Sequence, residues 1–368
     1  MSPRVQISQA ILDRNIADMQ AIADSAGVRL RPHAKTHKSV EIARRQMAAG
    51  AVGLTVAKPA EAIVFLEAGI PSIKLCYPVI EEEPLDAVLA AAKKHQAEVI
   101  FVVDSDQGID ALMKVSAAHG VELPVYVEVD VGLRRCGVAP SSLALVELAG
   151  RVAAAPSLTF VGLTAHAGHA YGVTGADQAA GVAEAERQAM LKAKARLEAL
   201  GMPVPEICVG STPSLWAQQD FTGITEIKPG NYVLNDLTQL TIGVVDWERL
   251  ALSVAATVVS ANDTYLIIDA GSKVLTSDLG PHGNQSISGH GQAYTADQQP
   301  GRDTGLTVTK LSEEHGWIAH EGNPLPIGTR LTVFPNHACP VVNLVDRLAI
   351  EADGDIAEHW TVDARGCF

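Results

Sequence analysis

The stretch RPHAKTHKS, residues 31 to 39, gathers Arg31, His33, Lys35, His37 and Lys38 within eight positions of a chain whose formal net charge is −14. Two states fit the lysine at its centre. Lys35 is either a solvated surface amine, as most lysines are, or an amine that bonds a carbonyl carbon as a Schiff base. The second state needs a lowered pKa, which cationic neighbours such as Arg31 would supply.

Other stretches carry matching chemistry. In VGSTPS, Gly210, Ser211 and Thr212 lead into a predicted helix, and free N–H groups and hydroxyls at a helix start cradle an anion. KPGNY presents Gly230 and Asn231, with Lys228 before them and Tyr232 after. Either loop alone reads equally as an ordinary turn; together they outline a phosphate pocket. EVDVGLRRCGV carries Arg135, and TAHAGHAYG carries His166, His169 and Tyr171. In FPNHACPVVNL, His337 and Cys339 stand two residues apart, a spacing that on a strand points both side chains to one face. A thiolate beside an imidazole suits Zn²⁺ or a similar divalent ion with positions left open for substrate. A buried cysteine beside a structural histidine is the other reading. His315, in EEHGW, either faces a site or satisfies a turn.

Elements must bring these residues together. Eight short apolar runs recur, near residues 28–33, 52–57, 72–78, 99–104, 124–130, 159–166, 206–212 and 224–230. They are continuous rather than alternating, as parallel strands buried on both faces require. Helical stretches separate them, several closing on Gly. The order predicts an α/β fold: a (β/α)8 TIM-type barrel over residues 1–244, whose strand ends carry the site. A doubly wound sheet uses the same alternation, but the count of eight favours the barrel. From residue 245 to 368 short β runs divided by Gly, Asn, Asp and Pro predict a mostly β domain, which the first few residues are free to join.

Composition narrows the classes. Hydrophobic residues at 47% and charged residues at 19% mark a folded globular chain. A pI near 5.3 argues against nucleic acid as a partner. No apolar run is long enough for a membrane span, and MSPRVQISQA lacks the apolar core of a secretory signal. Five cysteines without a CxxC pair point to a reducing cytoplasm.

Taken together, these pieces resemble the metal-dependent D-serine dehydratase and D-threonine aldolase family of fold-type III pyridoxal phosphate enzymes, with its alanine racemase-like barrel. RPHAKTHK is similar to the family's Schiff-base motif, and the resemblance runs over barrel, phosphate loops, β domain and terminal HxC. It implies pyridoxal 5'-phosphate held by Lys35. It implies Gly210, Ser211, Thr212, Gly230, Asn231 and Tyr232 around the phosphate. Arg135 would approach the ring hydroxyl, His166 would pack near the ring, and Tyr171 would approach the pyridine nitrogen. His337 and Cys339 would hold a divalent metal, Zn or else Mn, Mg or Co. Relatives commonly carry arginine where this chain has Lys228. A homodimer is implied, one subunit's β domain lying near the other's barrel mouth.

The implied activity is a lyase of D-3-hydroxy amino acids. Aldolases of the family often carry aspartate as the second metal ligand and a Gly-Gly-Thr-Gly loop. Cys339 and GSTP are closer to the D-serine or 3-hydroxy-D-aspartate dehydratases, which yield a 2-keto acid and ammonia. The alternative is a D-threonine-type aldolase yielding glycine and an aldehyde, with His169 as the base. A non-catalytic pyridoxal phosphate carrier resembles the barrel half alone, and an amino-acid racemase gives no reason for a metal pair.

Overall fold

Strands enclosed by helices outside and side chains inside must be apolar throughout, and the eight apolar runs fold accordingly. The computed structural model describes residues 2–280, 287–303 and 305–368. β1 (Arg4–Ser8) precedes the barrel strands. These are β2 (Arg29–Leu30), β3 (Leu54–Val56), β4 (Ser72–Leu75), β5 (Glu98–Val103), β6 (Leu123–Val129), β7 (Leu158–Ala165), β8 (Glu206–Val209) and β9 (Glu226–Ile227). They form one parallel sheet in the order β2-β9-β8-β7-β6-β5-β4-β3. A parallel bridge between His33 and Thr55 closes the ring, with Val52 N–H donating to Leu30 O at 2.9 Å. Five of the eight strands lie within the apolar runs named above, β5, β6 and β7 each begin one residue before theirs, and the barrel is the predicted one.

The β domain comprises β10 (Leu252–Ala261), β11 (Tyr265–Ile268), β12 (Gly291–Thr295), β13 (Leu306–Leu311), β14 (Gly316–Ala319), β15 (Arg330–Pro335), β16 (Arg347–Ala352) and β17 (Asp355–Thr361). β1 lies between β10, antiparallel, and β16, parallel, so the first residues of the chain do join this domain. The apolar core continues from barrel to β domain without a break. LALSVAATVVS, TYLIIDAG, GLTVTKL, GWIAHE, TRLTVFP and IAEHWTV are the β runs expected from the sequence, and β12 and β16 fall outside them. GQAYT is short and follows a Gly-rich stretch, and RLAIEA has the composition of a helix.

The structure corrects one local expectation. His337 and Cys339 do not share a strand. β15 ends at Pro335, His337 is the extended residue that begins the helix Ala338–Asn343, and Cys339 lies in that helix's first turn. The sequence signal was Pro340, which suits the first helical turn because its missing N–H has no acceptor there in any case.

Candidate active site

The cationic knot after β2 is dismantled residue by residue. Arg31 donates from Nε to Glu226 Oε2 at 3.0 Å and from Nη1 to Ser72 Oγ at 2.7 Å. Lys38 Nζ pairs with Glu61 Oε1 at 3.1 Å. His37 is buried and neutral; burial drops its pKa to about 4, and its Nδ1 accepts Ser39 N–H at 3.1 Å. Lys35 alone keeps its amine without a hydrogen bond or ion pair among the described residues, and it lines a cavity of about 650 Å³ at the barrel mouth. Burial is the main force lowering the Lys35 pKa. Arg135 adds to it, while Cys339, Cys76 and Glu61 pull the other way. Arg31 was the expected cause; committed to Glu226, it is not.

The walls of the cavity come from strand ends. Gly230 packs against the turn that carries Lys35: a Cβ there would stand 3.0 Å from Thr36 Oγ1 and 3.2 Å from His33 O. Asn231 Nδ2 donates to Asp236 Oδ2 at 2.6 Å, which leaves its Oδ1 buried without a partner. Ser211 and Ser214 cap the helix Thr212–Ala217 reciprocally, Ser211 N–H donating to Ser214 Oγ at 2.9 Å. Thr212 Oγ1 accepts Tyr232 N–H at 3.0 Å and is bonded to Tyr171, whose phenol burial pushes up. His166 donates from Nδ1 to Gly210 O at 3.2 Å, and burial holds its ring well below the usual histidine range.

Pyridoxal phosphate fits these residues. An unpartnered amine, a glycine-lined cradle and the hydroxyls of Ser211 and Thr212 meet in one cavity with Arg135 and Lys228.

From the β domain, His337 Nδ1 meets Asp278 Oδ2 at 2.8 Å, and Cys339 Sγ donates to Thr36 Oγ1 at 3.3 Å. His337 and Cys339 are also hydrogen-bonded to each other. Burial lowers the His337 pKa, but Cys339 and Asp278 outweigh it and raise it to about 10. A carboxylate on Nδ1 is the partner that orients a metal-binding imidazole and turns Nε2 outward. Among the described residues, no group of three or more His, Cys, Asp or Glu could hold a metal ion.

Comparison with known proteins matches this geometry. Residues 7–236 match the family model described as alanine racemase, N-terminal domain, and residues 251–350 the putative serine dehydratase domain. The chain is 34% identical over 98% of its length to the D-threo-3-hydroxyaspartate dehydratase of Delftia sp. (strain HT23), covering 96% of that protein. The chain belongs to this family of pyridoxal phosphate-dependent lyases. It is also 32% identical over 99% of its length to the D-threonine aldolase of Arthrobacter sp, covering 93% of it. A solved structure of the Delftia dehydratase superimposes with a TM-score of 0.90 and 32% identity, over 98% of this chain and 97% of that one. Two further solved structures of D-threo-3-hydroxyaspartate dehydratase are alanine variants. One replaces a histidine; the other, in the metal-free form, replaces a cysteine two positions further on.

Within this lyase, Lys35, Arg135, His166, Tyr171, Ser211, Thr212, Gly230, Asn231, His337 and Cys339 all line the one cavity. Gly210 contributes its carbonyl to His166 rather than a surface. Tyr232 contributes its backbone; its side chain is buried behind the wall, its hydroxyl accepting from Gln46 Nε2 at 2.9 Å. His169 is half-buried and stands behind the loop that carries Arg135, its ring against Gly132. The short turn Gly168–Gly172 sends Tyr171 to the cavity and His169 away from it. His315 is exposed in the turn Ser312–His315, outside the cavity of its own chain.

Of the other polar residues lining the cavity, His33 and Lys228 were named in the sequence without a role at the site, and Glu128 was not named. His33 uses Nδ1 to accept Lys35 N–H at 3.3 Å, shaping the turn that aims the amine. Lys228 donates its ammonium to Ala165 O, so the lysine found in place of arginine is engaged with the backbone. Glu128 is a charged residue inside the apolar run VYVEV, which was the available signal.

Proposed function

We propose that the protein is a divalent-metal-dependent dehydratase of D-3-hydroxy amino acids, converting D-serine or 3-hydroxy-D-aspartate to a 2-keto acid and ammonia. The observation that carries this reading is the imidazole–thiol pair His337–Cys339, on the same cavity wall system as the Lys35 amine. Support comes from D-threo-3-hydroxyaspartate dehydratase, whose histidine and cysteine variants have the same two-residue spacing.

Bound pyridoxal phosphate supplies an electron sink for charge developing at the substrate's Cα. A divalent cation on His337 and Cys339 supplies Lewis acidity toward the β-hydroxyl. The chain's own residues do the rest. Lys35, its basicity reduced by burial, takes the proton from Cα. His166, Tyr171 and Thr212 hold one side of the cavity rigid through their hydrogen bonds to the 210–212 loop. The neutral imidazoles of His33 and His166 keep the cation count beside Lys35 low, which preserves a reactive amine.

The enzyme acts as a homodimer in this reading. Tyr77, Ile80 and Phe368 leave large apolar surface exposed beside the mouth, where a second subunit would cover it. No helix among the described residues is long and apolar enough to cross a membrane, and five free thiols suit a cytoplasmic location.

The likeness to D-threonine aldolase over 99% of the chain supports the second reading, an aldolase. Product analysis of the holoenzyme with D-serine, D-threonine and 3-hydroxy-D-aspartate decides between them. Keto acid with ammonia supports the dehydratase; glycine with an aldehyde replaces it with the aldolase. Full activity after exhaustive chelation would remove the metal from either account.

A further inference from the structure

Glu128 is the penultimate residue of β6 and is 5% exposed. Strand alternation turns it opposite to Val127 and Val129, and it reaches the cavity wall. Its carboxylate has no hydrogen bond or ion pair among the described residues. A buried carboxylate without a partner is costly, so its environment calls for a cation.

The loop that follows β6 brings one candidate, Arg135, to the same cavity. After β6 the chain forms a loop over residues 130–137 and returns onto its own start. Val138 N–H donates to Glu128 O at 3.1 Å, and Asp130 N–H to Val138 O at 3.0 Å. Gly137 is required at this neck: its φ is +94°, and a Cβ would stand 2.8 Å from Asp130 N. Three acids surround the neck. Asp104 Oδ2 accepts Gly137 N–H at 3.0 Å. Asp130 Oδ1 accepts Gly132 N–H at 2.9 Å and Arg134 N–H at 3.0 Å. Both are spent on backbone amides. Glu128 is left over, and the loop rooted on it carries Arg135 to the same cavity.

The other cavity cations are otherwise engaged: Lys38 pairs with Glu61 and Lys58 lies over the Tyr77 ring. Lys228 donates to Ala165 O, and the Lys35 amine is the group that bonds a carbonyl carbon. Arg135 touches Cys136 but has five N–H donors, more than that contact can use. Without a counter-charge, Lys35 and Lys228 would push the guanidinium outward.

We propose that Glu128 is a positioning residue that, in the enzyme loaded with cofactor, draws the Arg135 guanidinium to the inner cavity wall and aims its remaining donors at an anionic oxygen. A carboxylate–guanidinium contact in a low-dielectric site is short and directional, which fixes the side chain's angle as well as its charge. The proposal rests on the assignment of Arg135 to the cofactor's ring hydroxyl.

The test uses the enzyme loaded with pyridoxal phosphate, comparing Glu128→Gln, Glu128→Asp, Arg135→Lys and the double variant Glu128→Gln/Arg135→Lys. The readouts are the cofactor's dissociation constant and its visible absorbance maximum. Glu128→Gln should shift the band and weaken binding by about tenfold, while in the Arg135→Lys background the same change should cost under about twofold. Glu128→Asp should recover the band and most of the affinity, which a merely structural defect would not show. Additive losses would overturn the proposal, since Glu128 would then act independently of Arg135. A native band and affinity in Glu128→Gln, beside an impaired Arg135→Lys, would overturn it while leaving the Arg135 assignment intact. A native Arg135→Lys would overturn that assignment and the proposal with it.

Discussion

Cys339 Sγ donates to Thr36 Oγ1 at 3.3 Å, joining residues 303 positions apart. Thr36 follows Lys35 directly, so one hydroxyl registers the sulfur of the β domain against the amine of the barrel. Thr36→Val keeps the shape and removes the acceptor. We expect divalent-cation affinity to fall by about fivefold, the equivalent of one net hydrogen bond of ~1 kcal/mol. The absorbance of bound pyridoxal phosphate should stay native. Calorimetric titration of Zn²⁺ into the variant checks this; unchanged affinity would show that the sulfur is placed by its helix alone.

Lys35 makes the capture of cofactor pH-dependent. Only its neutral amine attacks an aldehyde, and its pKa lies below the ordinary 10.5 because of burial, with Arg135 contributing. The rate of cofactor attachment to the stripped protein should therefore rise with pH and level off below 10.5. Arg135→Gln removes one lowering influence, so its profile should move to higher pH. Stopped-flow absorbance across a pH series measures both, and a profile unmoved by Arg135→Gln would exclude that influence. Lys35→Ala should show no covalent cofactor band at all.

Legibility in the sequence followed the range of each interaction. The eight barrel strands were readable because burial on both faces leaves no polar alternation to confuse. Lys35 was readable from local residue types. Arg31 was not, because its partner Glu226 lies 195 positions away and no local pattern names it. Asp278, which holds His337, lies 59 positions before it in a loop and was missed for the same reason. His169 shared a motif with His166 and Tyr171, yet across the short turn Gly168–Gly172 only those two line the cavity.

His37 should make the fold acid-sensitive. Its pKa is about 4 in the folded protein, against 6.5 in an exposed chain. Below 6.5 the unfolded state takes up a proton that the folded state refuses. The stability contributed by the neutral ring is complete above pH 6.5 and is lost as pH falls toward 4, in total about 3 kcal/mol. His37→Asn retains an acceptor for Ser39 N–H and cannot titrate. Urea unfolding of both proteins between pH 4 and 7 should show the native curve falling more steeply by that amount, and parallel curves would refute the assignment.

Glu226 anchors a buried ionic cluster beneath the cavity. It meets Arg31 at 3.0 Å and the ammonium of Lys74, and none of the three lines the cavity. Burial alone would raise its pKa, but Lys74 and Arg31 bring it down to about 2. Its carboxylate therefore supports the fold at any pH above about 4.5, and the contribution is lost as pH falls toward 2. Glu226→Gln leaves two buried cations facing a neutral amide, a change that typically costs about 3–5 kcal/mol. We expect a marked fall in melting temperature with a native cofactor spectrum at low temperature. Adding Lys74→Met should restore part of the loss, because one uncompensated charge is removed. If Glu226→Gln melts like the native protein, the cluster is not what holds the barrel interior together.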